Sequence, residues 1–156
     1  MGNWGEIIRI NNNGIDCCSI GSRIPGVFFR GSSLKLHICT TLGTNGNSCW
    51  SSDSDLPVNK ETHVKIEQRK NEAGKYIYTI VIDGEEKFTK ENTSPREFKD
   101  ATMYSDMNKG KNRIANVKLK GVQFKNLGTF TYTQRQLSIT DLLRLRPPYN
   151  GHWSGI

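Results

Sequence analysis

The side chains in this 156-residue chain that could do more than pack are four cysteines, three histidines and a scatter of carboxylates. Cys17, Cys18, Cys39 and Cys49 all fall in the first third, and no Cys-x-x-Cys spacing occurs, which argues against a zinc site. Between Cys39 and Cys49 lies Thr44-Asn45-Gly46-Asn47, a turn composition flanked by apolar strand material. Neighbouring strands would then present the two sulfurs to each other, as a Cys39–Cys49 disulfide in an oxidising compartment or as two free thiols. Adjacent cysteines rarely bridge each other without strain, so Cys17 and Cys18 are left to pair elsewhere or to stay free.

A Cys/His or Ser/His nucleophilic pair would have to draw on His37 or His63 with Cys39. Both histidines sit in strand patterns, with no strained nucleophile elbow and no carboxylate to orient them. Retaining glycoside hydrolysis needs two carboxylates about 5–5.5 Å apart on one face. Glu6 stands alone, Glu85-Glu86 follows an Asp-Gly turn, and Glu67 is flanked by Lys65 and Arg69, so each reads as a surface charge and no catalytic residue is assigned. Asp53 and Asp55 with Ser51, Ser52 and Ser54 supply hard oxygens in one stretch, the composition of a calcium loop and equally of a plain polar loop. For ligand contact, Asn45, Asn47, Trp50 and Asp53 combine an aromatic platform with amide and carboxylate partners, with packing beside the disulfide as the other role for Trp50. Asn92-Thr93-Ser94 is a glycosylation sequon, although Pro95 follows it and turn chemistry also explains it.

These residues sit in a chain built from short strands. Trp4–Ile10 is apolar and β-branched before Asn11-Asn12-Asn13-Gly14 breaks it, Gly26–Arg30 precedes Gly31-Ser32-Ser33, and Leu34–Cys39 alternates. His63–Gln68, Tyr76–Ile82 and Lys87–Thr89, with the Asp83-Gly84 turn between the last two, read as a three-strand meander. Lys99–Tyr104 and Arg113–Phe124 are further strand candidates. No window before Leu127 shows a sustained 3.6-residue period, so an all-β sandwich or barrel is the expected architecture.

Composition sets the outer bounds. Hydrophobic residues make up 35% and charged residues 24%, with 15 Gly and 5 Pro, which excludes a disordered chain, a coiled coil and collagen. The net charge of +7 invites a nucleic-acid reading. The densest basic stretch, Lys109 to Lys120, alternates with Ile114, Val117 and Leu119 as the wet face of a strand would, and no nucleic-acid partner is expected. No apolar run approaches the roughly 20 residues that cross a bilayer as a helix. The start, Met1-Gly2-Asn3-Trp4, carries no signal-peptide pattern, leaving a cytosolic chain or a fragment of a secreted protein as the alternatives.

Arg23-Ile24-Pro25-Gly26-Val27-Phe28-Phe29, then Leu36-His37-Ile38-Cys39, then Leu56-Pro57-Val58-Asn59-Lys60 leading into Thr62–Ile66, resembles the laminin-G-like, concanavalin A-like jelly-roll domain of animal extracellular proteins. The likeness continues through Tyr76–Gly84 and Asn92–Tyr104 and spans roughly residues 4–127. It implies an antiparallel jelly-roll β-sandwich over 1–128. The function it implies is a secreted or extracellular, non-catalytic recognition or adhesion module that binds glycan or protein without a cofactor. The alternative is a carbohydrate-active enzyme domain with a degenerate catalytic strand. The chain departs from the family at Glu61, where Trp is usual, at Ser105-Asp106-Met107-Asn108, where Asp-Pro-Trp is common, and before Trp4, where an opening strand is expected.

Residues 129–156 read as a C-terminal extension, either a disordered tail or a structural substitute for the missing opening strand. Phe130 and Tyr132 alternate with threonines as a docking strand would, and Ser138-Ile139-Thr140-Asp141 precedes Leu142, Leu143 and Leu145 like a capping box before a two-turn helix stopped by Pro147-Pro148.

Overall fold

A computed structural model of the chain describes residues 4–12, 14–15, 17–104, 113–114 and 118–123. The chain forms two units, Met1–Asn116 and Val117–Ile156. The extension 129–156, with its expected docking strand and helix, lies outside the described residues, as do 105–112 and 124–128.

The first unit is all-β, with no helix among the described residues. β1 (Trp4–Asn11), β2 (Gly26–Arg30), β3 (Leu36–Leu42) and β4 (Asn45–Ser51) form consecutive antiparallel neighbours in the order β4-β3-β2-β1. The chain then builds a second, three-stranded antiparallel sheet from β5 (Val64–Lys70), β6 (Tyr76–Ile82) and β7 (Glu85–Asn92). It returns to the free edge of β1 with β8 (Thr102–Tyr104), antiparallel, and β9 (Arg113–Ile114), parallel. Of the strand expected over Arg113–Phe124, the described residues show Arg113–Ile114 as β9, no strand over 118–122 and an isolated bridge at Gln123.

Turn chemistry sets these registers. Asp83 and Gly84 both have positive φ, 51° and 86°, as the two central residues of a type I′ hairpin turn require, and they join β6 to β7 at the expected place. The β3–β4 turn falls at Gly43-Thr44, with Gly43 at φ 61°, two residues before the Asn45-Gly46-Asn47 stretch. That stretch opens β4 instead. Gly46 is needed for its missing side chain: a Cβ there would lie 2.4 Å from the Ser19 carbonyl carbon and 2.6 Å from the Cys18 oxygen. The loop between β1 and β2 therefore rests directly on β4.

The two sheets face each other as a β-sandwich. Period-two alternation puts Leu36 and Ile38 on the inner face of the first sheet and Tyr78, Ile80 and Ile82 on that of the second, all buried. Burying each such aliphatic side chain stabilises by about 1.5–3 kcal/mol. Polar contacts span the gap. Lys90 Nζ on β7 donates to Ser48 Oγ on β4 at 3.4 Å. Asn92 Oδ1, at the end of β7, accepts from the Gly43 backbone N–H at 2.8 Å. No helix among the described residues is long and apolar enough to cross a membrane.

Candidate functional site

The opposite face of the first sheet carries the densest chemistry. Antiparallel register lines up two rungs across four strands: Glu6, Phe28, His37 and Ser51 in one, and Arg9, Gly26, Cys39 and Cys49 in the next. Gly26 leaves space for the Phe28 ring, whose atoms would lie 2.8 Å from a Cβ at that position. Arg23 stacks on that ring, its guanidinium carbon 4.8 Å from the centroid. Glu6 and Arg9 form a buried ion pair at 3.5 Å, an arrangement that tolerates the loss of neither charge alone.

Cys39 and Cys49 are directly opposite each other and are joined as a disulfide, as the hairpin reading expects. Cys17 and Cys18, left open by the sequence, are joined to each other. Cys39 is fully buried, whereas Cys49 is an exposed residue. His37, two residues before Cys39 and hence on the same face, brings Nε2 to 3.0 Å from Cys39 Sγ. Its Nδ1 is in hydrogen-bond contact with Ser51 Oγ at 2.7 Å, and the Trp4 ring lies over the imidazole with centroids 4.4 Å apart. Burial, together with the charges of Arg23 and Arg30, holds the His37 pKa below its ordinary value, so the ring is neutral at pH 7. Because a disulfide sulfur carries no proton, the contact with Cys39 Sγ is donated by the neutral ring's Nε2–H, and Nδ1 then accepts from the Ser51 hydroxyl.

Of the two histidines considered with Cys39, the structure brings only His37 to it. His63 is exposed at the entry to β5, where its backbone N–H donates to Asp83 Oδ1 at 2.8 Å.

The four residues expected to contact a ligand do not share one loop. Asn45, Asn47 and Trp50 lie on β4, and Asp53 follows its far end. Asn47 stands beside Cys49, its Oδ1 3.4 Å from Cys49 Sγ and accepting from Arg23 Nη1 at 2.7 Å. Trp50 pairs with Ile38, so it occupies the other face of the sheet. Asp53 and Asp55 are exposed. Two of the hydroxyls considered with them are committed elsewhere: Ser51 Oγ to His37, and Ser52 Oγ to the Ser54 carbonyl at 2.8 Å and the Leu36 N–H at 2.9 Å.

Asn92, the sequon residue, is 6% exposed. Its Nδ2 donates to Gln68 Oε1 at 2.6 Å while its Oδ1 accepts from Gly43 and Ser94. In the folded chain the nitrogen that would carry a glycan is enclosed and already bonded, because the side chain clasps the two sheets together.

A rim that sequence reasoning passed over lies at the far end of β2 and β3. Arg30, Gly31, Ser32, Ser33 and Lys35 line a shallow, open depression on the β2–β3 turn. The turn is tied to the β4–β5 loop by Leu56 N–H donating to the Leu34 carbonyl at 3.1 Å and Ser52 N–H to the Leu36 carbonyl at 2.9 Å. Those bonds bring the Trp50–Asp53 end of β4 to the same rim. The available signal was the basic pair flanking a Gly-Ser-Ser turn. A second shallow groove, lined by Glu67, Arg69, Lys70, Asn71, Ile77 and Thr79, lies on the second sheet. Glu67 is bonded there by Lys65 and Arg69, which hold its carboxyl below the ordinary range. No family model, curated protein or solved structure matches this chain.

Proposed function

We propose that this chain is a non-catalytic, extracellular recognition module, a laminin-G-like sandwich of jelly-roll type whose loop rim binds an anionic glycan or protein surface. The observation that carries the reading is the rim itself: Arg30 and Lys35, with the hydroxyls of Ser32 and Ser33, line one open depression, and Trp50 and Asp53 stand at the same end. Paired cations with hydroxyl donors suit sulfate or carboxylate groups. A shallow site gains affinity from charge complementarity rather than enclosure. Two disulfides favour an oxidising compartment. The jelly-roll assignment rests on the sandwich and on the order of the motifs.

Titrating the protein with heparin and with neutral dextran at several salt concentrations tests the reading. The expected result is salt-sensitive heparin binding that weakens at least tenfold in the Arg30→Ala/Lys35→Ala double variant. Heparin binding unchanged by that variant, or binding to neither heparin nor acidic peptides, overturns it. A polysaccharide-hydrolysis assay separates the enzyme alternative, which requires turnover abolished by removing one carboxylate.

A further inference from the structure

The sulfurs of Cys39 and Cys49 and a ring nitrogen of His37 all lie within 4.8 Å of one another, the one such grouping of three metal-ligating side chains among the described residues. We propose that reduction of the Cys39–Cys49 disulfide opens a binding site for a thiophilic divalent cation of the zinc type, held by Cys39 Sγ, Cys49 Sγ and His37 Nε2.

The donor set is that of an open zinc centre, two thiolates and one imidazole with a fourth position left for water. Ligand atoms around such an ion are separated by about 3.3–3.8 Å, given metal–sulfur distances near 2.3 Å and metal–nitrogen distances near 2.0 Å. His37 Nε2 is already 3.0 Å from Cys39 Sγ. Cleaving the S–S bond lets the sulfurs part to that spacing by side-chain rotation, with the strands unmoved.

Two further observations point to a ligand role for His37. Ser51 Oγ lies 2.7 Å from Nδ1, where it can accept the Nδ1–H of an imidazole that binds metal through Nε2, the outer hydrogen bond that orients such a ligand. Trp4 covers the ring at 4.4 Å, so its direction does not depend on the disulfide. All three donors stand on adjacent β-strands, the rigid kind of support that keeps a site within the tolerance of coordination geometry. The exposed Cys49 provides the entry path.

The chemistry balances with a dithiol as reductant. The disulfide takes up two electrons and two protons to give two thiols, and the dithiol becomes its own disulfide. Metal binding then displaces the two thiol protons to solvent. The disulfide and the metal are mutually exclusive occupants of one site, so metal loading would follow the redox poise of the surroundings.

The test uses the Cys17→Ser/Cys18→Ser chain, which leaves one disulfide, reduced with a phosphine and titrated with cobalt(II) as a spectroscopic stand-in for zinc. The expected result is one cobalt per chain, with a thiolate-to-cobalt charge-transfer band and tetrahedral visible bands that zinc displaces. The unreduced protein should give neither. Cys49→Ser, a change at an exposed position, should abolish the two-thiolate signal with the far-UV dichroism retained. His37→Gln should weaken binding by ten- to a hundredfold. Cobalt bound without the charge-transfer band, binding unaffected by His37→Gln, no binding after reduction, or loss of the fold on reduction each overturns the proposal.

Discussion

The side-chain oxygen of Asn92 accepts the backbone N–H of Gly43 at 2.8 Å, 49 residues away in sequence, and in doing so pins the end of β7 to the β3–β4 turn of the other sheet. Its amide nitrogen is equally committed, donating to Gln68 across the inner face of the second sheet. Asn92→Ala leaves the Gly43 N–H and the Gln68 carbonyl oxygen without these partners, and unsatisfied buried groups are costly. The expected loss is about 2–3 kcal/mol, read as a lower urea midpoint at unchanged slope. Asn92→Asp keeps the acceptor for Gly43 and lets Gln68 turn its own amide nitrogen inward, so it should lose less at neutral pH. The same clasp predicts that folded protein exposed to an oligosaccharyltransferase shows no added glycan mass at Asn92.

Replacing Cys49 by Ser removes a cross-link that closes a loop of sequence separation 10. In the chain-entropy model such a closure contributes about 2.7 kcal/mol. Because Cys49 is exposed, little packing is lost with it. Equilibrium denaturation of Cys49→Ser should therefore show a loss of about 2–3 kcal/mol. Non-reducing peptide mapping of the parent chain should find Cys39 joined to Cys49 and Cys17 to Cys18. A Cys39 linked to Cys17 or Cys18 contradicts both pairings.

Strands whose pattern depended only on period two were readable from the sequence, and those whose limits depended on distant contacts were not. Gly26–Arg30 and Tyr76–Ile82 have the expected bounds because each is apolar and closed by turn residues whose backbone needs are local. The β3–β4 turn was misplaced because Gly46 looks like a turn glycine, whereas it serves the close approach of residues 18–20. That shift put Asn45, Asn47 and Trp50 on a strand. Strand geometry then separated Trp50 from Asn47 by the sheet itself. The His37–Cys39 association was visible as an i, i+2 pair on one strand face. Its completion by Ser51 and Cys49 required the hairpin register, which the Cys39–Cys49 pairing alone could have supplied. Spacing arguments about metal sites count side chains along the chain, whereas the grouping of His37, Cys39 and Cys49 is completed from across a ladder.

The Tyr78 phenol predicts how stability changes at alkaline pH. Burial pushes its pKa well above the ordinary value near 10, with the Thr40 hydroxyl opposing the shift. A group whose folded pKa is raised contributes stability that is whole below the unfolded pKa and is lost as pH rises toward the folded one. Stability should therefore fall from about pH 10 upward, at up to about 1.4 kcal/mol per pH unit from this group. Tyr78→Phe should be nearly neutral at pH 7 and should flatten the alkaline slope. Measuring the difference between the two proteins cancels the other tyrosines and lysines. Parallel alkaline slopes would assign the loss to other groups.

Gly46→Ala tests the contact between the β1–β2 loop and β4. The added methyl would lie 2.4 Å from the Ser19 carbonyl carbon and 2.6 Å from both the Cys18 oxygen and the Ile20 nitrogen. All three are backbone atoms, so no side-chain rotation relieves the overlap, and either the loop lifts or β4 bends. Overpacking of this kind costs about 1–3 kcal/mol. The loop is the softer of the two, since β4 is held by its ladder to β3 while Cys17 and Cys18 are bonded only to each other. Hydrogen exchange should therefore accelerate at residues 18–22 in Gly46→Ala while the β3–β4 amides stay protected. Exchange raised across β3 and β4 instead would mean that the strand yields first, and that the Cys17–Cys18 loop is the firmer element of the pair.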